Sequence, residues 1–242
     1  MGYQMRALFT TGLLAGSLAS VPVMAQTSFE DFNFSDLDIR GVVELPIKGM
    51  SAVDNGGQVF FTSSNGRFVI VGEIYDLWKG GSLDSISQIQ DSATRIHLNG
   101  LDVDTANLNT VSFGTGERTV TIFTDPLCEH CHALSQEAKQ YADDFTFDLV
   151  VVPALGDRSH ELAKQLYCAE EKDTQGVDAL LNGTIATLAT VADCDTTGYD
   201  RTLMTAELLG VDGVPFVIAD DGRVNRGRPS NFADWLHAGE ED

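Results

Sequence analysis

Two cysteines with two residues between them, Cys128-Glu129-His130-Cys131, stand where a short β-rich run, Thr119-Val120-Thr121-Ile122-Phe123, gives way to a helical stretch from Ala133 to Tyr141. Few features narrow a fold so much. A strand running straight into a Cys-x-x-Cys helix start belongs to an α/β layer, and the helix start also dictates chemistry. Unpaired backbone N–H groups and the positive end of the helix dipole stabilise an anion there. The first cysteine, Cys128, is therefore expected to ionise well below the free thiol value of about 8.5. A protonated His130 favours that thiolate, and Glu129 opposes it. Cys131, one turn into the helix, is positioned to attack a mixed disulfide on Cys128 and release the partner.

The same residues match other patterns. Cys128-Glu129-His130-Cys131-His132 is also a c-type haem attachment string. A haem needs a helical surround and an axial partner, whereas here a strand enters the motif. Zinc would want a second ligand pair, and Cys168 and Cys194 stand alone. A purely structural bridge across two residues closes too small a loop to stabilise much. The reading thus calls for no metal and no cofactor. A second ingredient of an exchange site is Gly213-Val214-Pro215-Phe216. A proline at a strand start, after an apolar residue in a Gly-x-Pro turn, is expected to be cis when an upstream Cys-x-x-Cys accompanies it.

The N-terminal segment points to export. Met1 to Ala25 holds one cation, Arg6, and an apolar run from Ala7 to Leu18, and it ends in the small-x-small pattern Val23-Met24-Ala25. Gly12, Gly16 and Pro22 argue against an anchor helix, so a secretory signal cleaved after Ala25 is expected, leading to a periplasmic, disulfide-permissive compartment. With 15 Lys+Arg against 36 Asp+Glu, the formal charge is −21. Such a surface repels nucleic acid and anionic lipid, so no nucleic-acid partner is expected. The 43% hydrophobic content excludes a disordered tail.

Organisation follows from pattern. Gln58 to Thr62, a Ser63-Ser64-Asn65-Gly66 turn and Arg67 to Val71 predict a hairpin. Leu83, Ile86, Ile89, Ala93 and Ile96 recur at helical spacing, which predicts a linker helix. The polar stretch from Asn99 to Gly116 reads only as a connector. In the second half, Phe147 to Val152 predicts a buried strand, Ser159 an N-cap for a helix to about Glu171, and Pro215 to Val224 a hairpin. A last helix opens near Ser230. His160 and His237 read as ordinary surface residues, Asn33-Phe34-Ser35 and Asn182-Gly183-Thr184 as chance glycosylation matches, and Glu240-Glu241-Asp242 as a solvated end.

In their order along one exported chain, these pieces resemble the DsbC/DsbG family of periplasmic thiol–disulfide isomerases. Leu45 to Met50, the Asn65-Gly66-Arg67 hairpin and Gly72 to Asp76 resemble its N-terminal dimerisation domain. Phe123 to His132 resembles its active-site segment, and Gly210 to Pro215 its cis-proline loop. The resemblance implies an α+β, cystatin-like dimerisation domain (26–81), a linker helix and connector (82–116), and an α/β thioredoxin-fold catalytic domain with a helical insertion (117–242). It implies a homodimer in which Cys128 attacks wrong disulfides in misfolded secreted proteins. Cys131 resolves stalled intermediates, and a membrane thiol reductase of the DsbD type restores the dithiol. It also implies a structural disulfide between Cys168 and Cys194, with two free buried thiols as the alternative. Two positions depart from the family pattern. Glu129-His130 replaces Gly-Tyr or Pro-Tyr, and Val214 stands where the isomerases usually carry threonine. Histidine before the second cysteine looks more like DsbA or protein disulfide isomerase, and valine before the proline like DsbA-like oxidases, so a net disulfide oxidase is the nearest alternative, followed by a holdase chaperone.

Overall fold

A computed structural model describes residues 38–238. The expected signal segment, Asn33-Phe34-Ser35 and Glu240-Glu241-Asp242 lie outside the described residues. Strands β1 (Gly41–Glu44), β2 (Met50–Asp54), β3 (Val59–Ser63) and β4 (Val69–Ile70) pair antiparallel in chain order. The expected hairpin is present, with Phe61 opposite Ile70 and Thr62 opposite Val69. Its turn is organised by Asn65, whose side chain accepts from the Ser63 hydroxyl and the Arg67 N–H, and by Gly66 at φ +66°. A small hairpin of β5 (Ile74–Asp76) and β6 (Gly81–Leu83) leads into helix α1 (Ile86–Thr94). Ser85 and Gln88 close a capping box at its start. The helix lays Ile89 onto Val43, Ala52 and Phe61. Leu83, Ile86, Ile89 and Ala93 of the expected apolar series share that core, with Ile96 the exception. Leu83 ends β6, and Ile96 leaves the helix for a different cluster.

The C-terminal part is a five-stranded sheet in the order β11-β10-β8-β9-β7. Strands β8 (Arg118–Thr124) and β9 (Phe145–Val151) run parallel, joined by helix α2 (Glu129–Ala138). Strands β10 (Phe216–Ile218) and β11 (Val224–Arg226) add antiparallel, and helix α6 (Phe232–His237) closes the chain. Three helices, α3 (Asp157–Tyr167), α4 (Lys172–Leu181) and α5 (Thr197–Leu208), lie between β9 and β10. A minimal thioredoxin fold has one there, so this is a thioredoxin fold with a helical insertion. Alternation along β8 explains the layering: Val120 and Ile122 face a core with Leu134, Leu166 and Phe232, while Phe123 faces another with Phe216, Ala206 and Leu209.

Three local expectations are corrected. The stretch read only as a connector supplies β7 (Thr110–Gly114), paired antiparallel with β9 from Thr110 opposite Val150 to Gly114 opposite Thr146. Asn107 and Asn109 before it and Gly114 at its end are turn formers, and the strand is imposed by its partners rather than by local propensity. Helix α4 approaches it closely at Gly176, where an added Cβ would sit 2.6 Å from Val111 Cγ1. Helix α3 starts not at Ser159 but after Gly156, and it ends at Tyr167. Ser159 is fully buried because its hydroxyl donates to the Asp125 carboxylate at 2.8 Å. Nor are the two histidines unpartnered. His160 Nδ1 lies 3.1 Å from the Tyr199 hydroxyl, and His237 packs edge-on against Tyr141 and Phe145. Burial, followed by the charges of Asp200 and Asp125, pushes the Tyr199 phenol up to about 12.

The end of α1 is stitched to the β10–β11 turn. Arg95 forms an antiparallel bridge with Arg223, and the Ile96 N–H donates to the Gly222 carbonyl at 2.7 Å. The Arg95 guanidinium reaches Asp91 at 2.8 Å and Asp221 at 3.3 Å. Burial alone would raise the Asp221 carboxyl, but hydrogen bonds from Arg223 and the charges of Arg223 and Arg95 outweigh it and hold the group below 3.8. Stability from a depressed carboxyl is complete above its unfolded value and lost as pH falls through the folded one. Between pH 5 and pH 2, Asp221→Asn is therefore expected to lose less melting temperature than the parent. The difference should be about 2–4 °C for a pair worth about 1 kcal/mol, readable by circular dichroism. Equal losses in both proteins would remove this stitch from the acid response.

Candidate active site

Strand β8 ends at Thr124, and the chain turns through Asp125-Pro126-Leu127 into α2. The turn is closed by the Cys128 N–H donating to the Asp125 carbonyl at 3.1 Å. Proline suits its second position because its φ is already set. Cys128 is consequently the N-cap of α2, and its Sγ accepts the Cys131 N–H at 3.1 Å. A sulfur in that place takes one of the helix's unpaired donors and the positive end of its dipole. Cys128 and Cys131 are joined as a disulfide with Cα atoms 5.2 Å apart. Cys128 keeps 6% exposure and Cys131 none. Glu129 and His130 are both exposed on the first turn.

The Val214–Pro215 peptide is cis. The Val214 carbonyl oxygen lies 3.9 Å from Cys128 Sγ, while Pro215 is buried at the start of β10. Thus Cys131 and the Val214 carbonyl lie against the Cys128 sulfur, with Glu129, His130 and Pro215 next to them in the chain. Cys168 and Cys194 are bonded to each other at 2.02 Å. They tie the end of α3 to the loop before α5, in the helical insertion. Among the described residues, no group of three or more His, Cys, Asp or Glu side chains is placed to hold a metal. No described helix is long and apolar enough to cross a membrane.

Sequence reasoning did not single out Asp125. Its carboxylate has no exposed surface. One oxygen accepts the Leu127 N–H at 2.7 Å and the Ser159 hydroxyl at 2.8 Å, and the other accepts the Leu155 N–H at 2.9 Å. The available signal was Asp-Pro between a strand and a helix cap, the signature of an Asx-type turn. The partners from residues 155 and 159 carried no local signal at all.

Residues 24–85 match the family model of the disulfide bond isomerase protein N-terminal domain. The thiol:disulfide interchange protein DsbC of Salmonella typhimurium is 25% identical over 182 residues, which is 74% of this chain and 72% of that protein. The Dickeya dadantii DsbC is 24% identical over 221 residues, 90% of this chain and 86% of that one. Among solved structures, a disulfide interchange protein from Neisseria gonorrhoeae aligns with a TM-score of 0.48 at 20% identity, over 58% of this chain and 100% of that chain. Residues 24–85 thus carry a disulfide bond isomerase N-terminal domain, and over most of its length the chain is similar to the DsbC thiol:disulfide interchange proteins.

Proposed function

We propose that this protein is a thiol–disulfide isomerase of the periplasm, acting on misfolded disulfide-containing secreted proteins through Cys128. The observation that carries the reading is the Cys128 sulfur at the α2 N-cap, accepting the Cys131 N–H at 3.1 Å. In the reduced protein that donor and the helix dipole favour the thiolate. The Cys128 thiolate attacks one sulfur of a client disulfide, forming a mixed disulfide and releasing the other sulfur as a client thiolate. That thiolate attacks elsewhere in the client, and a client thiolate finally displaces Cys128, with no net change in oxidation. When rearrangement stalls, the Cys131 thiolate attacks Cys128 and expels the client as a dithiol. The enzyme is left two electrons more oxidised, and a dithiol reductase of the DsbD type restores it. Homodimerisation through the N-terminal part completes the proposal, supported by the exposed Val42, Phe68 and Ile70.

A second reading, a net oxidase, is favoured by one observation: Val214 and its carbonyl, rather than a threonine, lie against the sulfur. Refolding of scrambled ribonuclease decides between them. The isomerase is expected to regain activity for the substrate in a glutathione buffer and to be isolated from cells mainly as the Cys128/Cys131 dithiol. Isolation mainly as the disulfide, with oxidation of reduced ribonuclease but no unscrambling, would replace isomerase with oxidase.

A further inference from the structure

Two large apolar side chains, one preceding Cys128 in the chain and one tied through its N–H to the carboxylate that closes the same turn, have no partner in the mechanism. Leu127 is 45% exposed and Leu155 57% exposed, although the backbone that carries each is fixed to one fully buried carboxylate. Asp125 Oδ1 accepts the Leu127 N–H at 2.7 Å, and Oδ2 accepts the Leu155 N–H at 2.9 Å. The Ser159 hydroxyl, donating to Oδ1 at 2.8 Å, fixes the rotamer. An asparagine would close the turn at 125–128 equally well. It would, however, present a donor to one of the two N–H groups, because its side chain has only one acceptor atom. Two acceptor oxygens are what holding both loops requires.

We propose that Leu127 and Leu155 form a client-reading pair, held beside Cys128 by Asp125, that favours disulfides flanked by apolar residues. The covalent step itself names the occupant. A client sulfur attacked by Cys128 must come into line with Sγ, so the residues bordering that client cysteine are carried onto the chain next to Cys128. That chain is Leu127 and, through the shared carboxylate, Leu155. Unfolded chains expose their apolar residues, whereas folded ones bury them, so the pair selects the clients that need repair. Asp125 is a positioning residue, acting through the two leucines. The inference rests on Cys128 being the attacking sulfur.

The test reacts the reduced full-length protein with three disulfides in a stopped-flow instrument. Two are short peptides, each closed by a single disulfide: one has Leu and Phe beside its cysteines, the other Ser and Gly. The third, glutathione disulfide, reports whether Cys128 reacts at all. The parent is expected to attack the apolar peptide about tenfold faster than the polar one, as half-covered leucines would give. In Leu127→Ser/Leu155→Ser the ratio should fall to within about twofold of unity. Asp125→Asn should reduce it in the same direction. The ratio cancels any change in the general reactivity of Cys128, so a merely structural effect would not move it. A parent without preference, or an unchanged ratio in the double variant, overturns the pair. A Cys128 inert to all three disulfides overturns the exchange reading, and the pair with it.

Discussion

Changing Cys131 to alanine is expected to turn the protein into a trap for its clients. Cys131 has no exposed surface and its sulfur sits at bonding distance from Cys128, so its attack on a mixed disulfide is intramolecular. Oriented intramolecular groups act at effective molarities on the order of 10⁵ M or more, against millimolar thiols in solution. Without Cys131, stalled mixed disulfides must wait for those solution thiols and should persist at least on the order of 1000-fold longer. Non-reducing electrophoresis of Cys131→Ala from cells should therefore show covalent adducts that collapse on reduction. Mass spectrometry should map them to Cys128, and Cys128→Ala/Cys131→Ala should carry none. Adducts at Cys168 or Cys194 instead would move the nucleophile to the other pair.

The second large effect concerns stability. The Cys168–Cys194 bridge closes a loop with a sequence separation of 26, for which chain entropy gives about 3.5 kcal/mol. Replacing both cysteines with alanine avoids a stray thiol and removes only the constraint. For a chain of this size the melting temperature should drop by about 7–14 °C, with the exchange chemistry of Cys128 retained at 25 °C. A drop below about 2 °C would mean that packing around Tyr167, Tyr199 and α4 holds the insertion without the bridge.

How much of this was legible depended on whether the determining contacts were local. The Cys-x-x-Cys helix start and the Asn65-Gly66 hairpin are written in adjacent residues, and the sequence read both directly. Of the helical insertion, α3 was read from the residues, while α4 and α5 had no separate signal and came only with the family resemblance. Strand β7 was invisible because Thr110-Val111-Ser112-Phe113 becomes a strand only by pairing with β9, some 35 residues on. Ser159 misled for a related reason. A serine near a helix start is a natural cap, but its hydroxyl is used by a carboxylate 34 residues earlier. Asp125 itself could be recognised as a turn residue, while its bond to Leu155 depends on the arrangement of β8 and β9 in the sheet.

The difference in accessibility between the two active-site sulfurs, 6% for Cys128 and none for Cys131, has a kinetic corollary. In the proposed mechanism, any reagent arriving from solvent, whether a tangled polypeptide or a restoring dithiol, has the same single point of entry. The two visitors must then be served in series. At high substrate load, turnover would slow not because the chemistry weakens but because the doorway is occupied, and the hidden second sulfur is what clears it.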